Sequence, residues 1–187
     1  MAFRRRMDKD KWILSLSTFV FYLFSLLSGL HIAYLVSFVL NSNTMVHLET
    51  MSLFYFNTAY SFIVTETEVL HMKEVGHLIV FSHVLFVLFL VFSAFLFWYH
   101  KKSDLRMSAH SFWLVGVFLA ICSVSAVFFD KAFIYFHQLF FRNDFWVFPY
   151  DSLILTAYPL SFFLVEFLII VSSSTLIFYL IYRFLKN

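Results

Sequence analysis

Charge is scarce in this sequence. Of its 187 residues, 13% are Asp, Glu, Lys or Arg and 62% are hydrophobic. An ordinary soluble domain carries about a quarter charged residues, so that class is excluded. Glycine and proline are nearly absent, at 3 and 2 residues against 29 phenylalanines. Their scarcity excludes low-complexity disorder and a transmembrane barrel of many turn-punctuated strands. The single cysteine, Cys122, sits in an apolar run, so there is no disulfide framework and no CxxC metal or redox motif. No GxSxG elbow occurs, and Cys122 falls inside a predicted span, which leaves a serine or cysteine nucleophile without support. What remains is an integral membrane protein of long helices.

Four runs are long enough to cross roughly 30 Å of hydrocarbon at about 1.5 Å per residue. They extend over Ile13 to Val36, Leu78 to Trp98, Phe112 to Phe129 and Leu160 to Ile181. The first follows a basic stretch, but its apolar part is too long for a signal peptide and no small-residue cleavage site precedes Asn41. It reads as a retained span. Ten of the thirteen basic residues then fall on one side: Arg4, Arg5, Arg6, Lys9, Lys11, Lys101, Lys102, Arg106, Arg183 and Lys186. The positive-inside rule puts that side, and with it both termini, in the cytoplasm. The outer segments, about 41–75 and 130–159, hold only Lys73, Lys131 and Arg142 among bases, beside Glu49, Glu66, Glu68, Glu74, Asp130, Asp144 and Asp151. No internal repeat and no Gly-, Pro- or Ser-rich linker divides the chain. The expected architecture is one all-α membrane domain, residues 1–187, with four antiparallel transmembrane helices under a small extracytoplasmic cap.

Within the second outer segment a helix is expected from near Asp130. Phe129, Phe133, Phe136 and Phe140 recur at helical spacing, with Lys131, Tyr135, Gln138 and Arg142 opposite and His137 at the border of the two faces. Pro149 and Pro159 mark turns in the loop that follows. The first outer segment is less regular, with aromatics from Phe54 to Phe62 suited to the headgroup zone, and turns helical from about Glu66. There Glu68 and His71, three apart, share a helix face. A carboxylate beside a histidine orients the ring and raises its basicity, and an imidazole with an ordinary pKa of about 6.5 suits proton transfer at neutral pH. His71 and His137, among Glu68, Glu74, Asp144 and Asp151, thus form a candidate acid/base pair. A structural role for a lone interfacial histidine competes with that reading.

The other ionisable groups are weighed likewise. His31, His77 and His83 lie in or near spans one and two, where packing or interhelical hydrogen bonding is expected ahead of haem ligation. Glu68 and His71 match half of a carboxylate-bridged di-iron motif, but no second Glu-x-x-His copy exists, so no metal site is expected. Glu166, inside span four, is expensive at membrane depth and is placed as a supporting group behind the site. His47, His100 and His110 flank spans and are expected to be solvated or interfacial.

Two blocks go beyond composition. "EVLHMKEV", Glu68 to Val75, is followed by "FHQLFFRNDFWVFPYDSLI", Phe136 to Ile154, then Pro159, Phe162 and Phe163. Together they resemble the lipoprotein intramolecular transacylase family of four-span bacterial membrane proteins. The family's two essential histidines correspond to His71 and His137. Glu68, Asn143, Asp144, Trp146 and Asp151 stand where its pattern has like residues, while Glu74 replaces an expected aspartate and the chain is somewhat short. The resemblance implies an extracytoplasmic reaction in the cell membrane on a lipoprotein whose amino-terminal cysteine carries a diacylglyceryl thioether. One acyl chain moves from a glyceryl ester oxygen to the α-amino group of the same cysteine, giving the lyso-form. No cofactor, metal or nucleic acid enters, and the partners are the diacylated lipoprotein and membrane lipid. Glu68 would orient His71, and Asn143 or the Trp146 indole would donate to the oxyanion; either histidine could be the base. A non-catalytic lipid- or protein-binding membrane factor is the alternative, and a membrane haem or metal redox protein ranks third.

Overall fold

The computed structural model describes residues 2–103, 107 and 112–186. The protein is all-helical, with no strand among the described residues. Among the described residues seven helices follow in chain order: α1 (Ala2–Leu40), α2 (Thr44–Phe56), α3 (Glu66–Ser103), α4 (Phe112–Val127), α5 (Phe129–Phe140), α6 (Leu153–Ala157) and α7 (Leu160–Lys186). Three of them, α1 from Asp10, α3 and α7, are long and apolar enough to cross a membrane. In α3 only 6% of the apolar window is buried inside the protein, so that side-chain surface needs a nonaqueous neighbour. At 38 residues α3 is about 57 Å long, and its first three turns, Glu66 to His77, precede the apolar run.

The third predicted span takes a different form. Helix α4 has 16 residues, about 24 Å, and is joined to α5 through a bend of 109° at Phe128. It counts as a fourth crossing only if that bent pair is one span.

The chain divides into two compact units. The first comprises Met1–Ile32, Val84–Cys122 and Ile169–Asn187. Its core is Val20, Phe21, Leu96, Met107, Val115, Phe178, Tyr182 and Leu185. A Cβ on Gly29 would lie 2.7 Å from the carbonyl oxygen of Ile170 and 3.2 Å from Ser174 Cβ. Glycine therefore lets α1 and α7 meet backbone to backbone, the close approach that small residues give membrane helices. His31 donates from Nδ1 to its own helix carbonyl, Leu27 O, at 2.7 Å and stacks on Phe86. His100 is 1% exposed and packs against Phe21. The expected solvated or interfacial place for His100 is thus corrected: the ring sits inside a helix seam. His110 lies outside the described residues.

The second unit, Ala33–His83 and Ser123–Leu168, is built around Val46, Leu53, Met72, Ile154, Ala157 and Tyr158. Helix α2 was not anticipated. Asn43 caps its start by accepting from Val46 N–H at 3.2 Å, and Asn57 ends it in the left-handed conformation at φ 54°. Asn41 ties the entry of α2 to α6 by donating to Ala157 O at 2.9 Å. A Cβ on Gly76 would come within 2.8 Å of Phe54, so α3 and α2 pack closely. His47, expected at an interface, is 2% exposed and bonded to the Tyr158 hydroxyl at 2.8 Å. The protein folds it inward because the phenol satisfies one ring nitrogen.

Candidate active site

The first strand of the site's construction is the start of α3. Thr65 donates to the Glu68 carboxylate through its N–H at 2.7 Å and its hydroxyl at 2.8 Å, and Glu68 N–H donates back to Thr65 Oγ1 at 3.3 Å. This reciprocal capping box closes the helix end. Burial works to raise the Glu68 carboxyl, but hydrogen bonds from Ser152 and Thr65 outweigh it and hold the group below the usual carboxylate range. Glu68 is therefore engaged by the cap and by Ser152, whereas the sequence reading has it orient His71. His71 follows one turn later on the buried face, 4% exposed.

Helix α5 supplies the second histidine. Its inward stripe is half-buried Phe129 and Phe133 and buried His137, continued by buried Phe141, while Phe136 and Phe140 are exposed. His137 lies within that stripe, not at its border. The ring can be buried because Nδ1 bonds Phe133 O at 2.8 Å. A carbonyl only accepts, so Nδ1 carries the hydrogen and the neutral ring keeps a lone pair on Nε2.

These two elements bring His71 and His137 together, with ring centroids 5.6 Å apart at 38°. Phe141 lies 4.6 Å from the first ring and 5.5 Å from the second, and Phe148 is 5.6 Å from His71. Trp146 stands 5.0 Å from His137 and Phe133 4.2 Å. The aromatic walls keep the pair dry. Burial, and then the neighbouring His137, push His71 down to about 4. Burial also lowers His137, against the opposing pull of the Phe133 carbonyl. Burial favours the neutral form of both rings, and His137 further disfavours protonation of His71.

A carboxylate and an amide stand behind His71. Glu74 Oε2 is 3.8 Å from His71 Nδ1, and Glu74 Oε1 accepts from Asn143 Nδ2 at 2.8 Å. Asn143 Oδ1 in turn accepts from Phe145 N–H at 3.0 Å. Beside them opens a cleft of ≈ 390 Å³ lined by Glu74, His77, Leu78, Phe140, Phe141, Arg142 and Asn143. His77 is exposed at this cleft and not packed in a core, whereas His83 bonds Tyr55 across helices at 3.3 Å. Asp144 and Asp151 are exposed and do not join the histidine cluster. Glu166, in the second turn of α7, has a buried Oε1 without a hydrogen-bond partner. Sequence reasoning missed Phe141 and Phe148 as walls, although Phe141 lies four residues after His137, the helical neighbour position. Among the described residues, no three His, Cys, Asp or Glu side chains gather as a metal ion would need.

The arrangement offers two neutral imidazoles at contact distance in an apolar box, one of them backed by an acid. That is equipment for moving protons, with no activated side-chain nucleophile beside it. Compared with known families, residues 12–163 match the model described as lipoprotein intramolecular transacylase Lit. No curated protein and no solved structure matches the chain.

Proposed function

The chain belongs to the lipoprotein intramolecular transacylase family, and on that premise we propose that it converts a diacylated lipoprotein to its lyso-form. An acyl chain leaves a glyceryl oxygen of the lipidated amino-terminal cysteine and joins that cysteine's own α-amino group. The observation that supports this reading is the approach of His71 and His137 to 5.6 Å from segments far apart in sequence, inside the matched region.

The chemistry follows from proton counting. An α-ammonium, with a pKa of about 7.7–8.0, carries two protons that an amide formed under these conditions does not keep. One must leave before nitrogen attacks the ester carbon and one as the amide forms. The glyceryl oxygen needs one proton back as its ester bond breaks; the other goes to solvent. Two neutral imidazoles match that demand, and their low basicity keeps both unprotonated when substrate arrives. Nucleophile and electrophile belong to one molecule, so orienting them replaces a bimolecular encounter. The Trp146 indole N–H is the donor assigned to the tetrahedral oxyanion. Asn143, which the sequence offered for that role, has its amide directed at Glu74.

In this reading the helices form one integral membrane domain of four alternating spans in the cell membrane, α4 up to the bend at Phe128 providing the third and α5 lying on the extracytoplasmic side. Both termini are cytoplasmic, the site is extracytoplasmic, and Asp144 and Asp151 face solvent. The test is tandem mass spectrometry of a reporter lipoprotein from cells with and without the chain. Product and substrate have equal mass, so the diagnostic fragment is an N-acyl cysteine with a monoacyl glyceryl group. A reporter that stays O,O-diacylated with a free amine at full expression of the chain overturns the assignment.

A further inference from the structure

Proton transfer by a buried histidine depends on what holds its second ring nitrogen. The two rings differ in this respect. His137 Nδ1 is fixed on a neutral acceptor, the Phe133 carbonyl. His71 Nδ1 and Glu74 Oε2 are both buried without a hydrogen-bond partner, and they lie 3.8 Å apart on adjacent turns of α3. That distance is too long for a hydrogen bond. Catalytic hydrogen bonds are often long until substrate docks, and closing this one takes a movement of about 1 Å. The Glu74 side chain is 38% exposed overall, so its inward oxygen, not the whole group, is what is desolvated. Its other oxygen is pinned by Asn143, itself held by the Phe145 N–H. Glu68, the competing carboxylate, is engaged in the α3 cap.

We propose that Glu74, held by Asn143, is the positioning residue that sets the tautomer and basicity of His71, making His71 the imidazole that carries a proton from the attacking amine to the glyceryl oxygen. This rests on the transacylase reading above. With Nδ1–H directed at Glu74, Nε2 is the free base. As the N–C amide bond forms, Nε2 takes the second nitrogen proton, and the imidazolium is stabilised by the carboxylate behind it. It then delivers that proton to the glyceryl oxygen as the C–O ester bond breaks, returning to neutral. His137 takes the first ammonium proton and releases it to solvent. The difference between a charged and a neutral partner on Nδ1 divides the tasks this way.

The experiment uses the full-length protein in detergent or nanodiscs with a synthetic diacylated lipopeptide, measuring kcat and KM for the wild type, Glu74→Gln, Asn143→Ala and the double variant. Thermal unfolding is followed in parallel. Glu74→Gln is expected to lower kcat about 10- to 100-fold with KM changed less than about twofold, as loss of a group orienting a histidine does. Asn143→Ala lowers kcat about tenfold, and the double variant is no slower than Glu74→Gln, because the two act as one unit. Unchanged kcat in correctly folded Glu74→Gln overturns the proposal. So does a raised KM at constant kcat, which assigns Glu74 to binding the substrate ammonium in the adjacent cleft. A fall in thermal stability with kcat per folded molecule intact marks a structural role and overturns it as well. An inactive wild type overturns the transacylase reading, and this inference with it; the variants alone cannot produce that result.

Discussion

A histidine pair buried among Phe133, Phe141, Trp146 and Phe148 has a measurable consequence in the pH dependence of turnover. An imidazole of ordinary pKa, about 6.5, is about nine-tenths neutral at pH 7.5 and about one-tenth neutral at pH 5.5, so a rate needing neutral histidine would fall about tenfold. His71 is held down to about 4, and at that value about 97% remains neutral at pH 5.5. The perturbation is therefore a simple change of pH at subsaturating lipopeptide, and kcat/KM, which reports groups of the free protein, should stay within about twofold from pH 7.5 to 5.5 before dropping toward pH 4. A tenfold fall with its midpoint near 6.5 would refute the claim that burial keeps the pair neutral. A fall that follows the substrate amine from about 7.7 would refute proton removal by the protein. Stability moves in the same direction. The folded-state pKa of His71 lies below its unfolded value, so its stabilising contribution is present above pH 6.5 and is lost as pH falls from there toward 4. The limit is about 3 kcal/mol, from the linkage between the two pKa values. Thermal unfolding of wild type against His71→Asn should show that difference narrowing over this interval.

In a chain lacking Cys122, new cysteines at Asn43 and Asp151 should react with an impermeant thiol reagent from outside intact cells while one at Ser103 does not; labelling at Ser103 would invert the topology. His71→Asn and His137→Asn should each abolish product while leaving membrane insertion intact, and the double variant should be scarcely worse than either. His77→Asn, at the exposed cleft, should keep most activity, and the readout for all four is N-acylated reporter at matched expression. Gly29→Ala should destabilise by about 1–3 kcal/mol, since its Cβ meets the Ile170 carbonyl. Gly116→Ala, where nothing lies within 4 Å, should be neutral or stabilising by less than about 1 kcal/mol. Equal unfolding temperatures for the two alanine variants would contradict the close α1–α7 contact.

The long apolar helices were legible because composition and run length alone report them. The start of α3 was legible too, but its cap was not read: Thr65-x-x-Glu68 is a capping-box spacing, and the Glu68 carboxylate accepts from Thr65. Helix α2 escaped because polar His47 and Thr50 share its buried face with Val46 and Leu53 while apolar Met45, Leu48 and Phe56 are exposed, so hydrophobic periodicity gives no signal. Its caps at Asn43 and Asn57 were the available marks. In α5 the true stripe runs at intervals of four, and His137 belongs to it only because its Nδ1–H is satisfied by its own helix. A polar residue counted as exposed shifted the inferred face toward Phe136 and Phe140. His47 was misjudged for a related reason, since its partner Tyr158 lies 111 residues away and no local pattern connects them. The motif blocks singled out both histidines, but their separation and walls depend on long-range packing around Phe141 and Phe148.

The most direct measurement is a crossover experiment on the purified protein. Two diacylated lipopeptides are mixed in equal amounts, one light throughout and one with heavy acyl chains and a heavy peptide. Their lyso products are then read by intact mass and fragmentation. Transfer within one molecule gives N-acylated products of only the two parental masses. Products pairing a light acyl chain with a heavy peptide, or no N-acylated product from folded protein, would contradict the account.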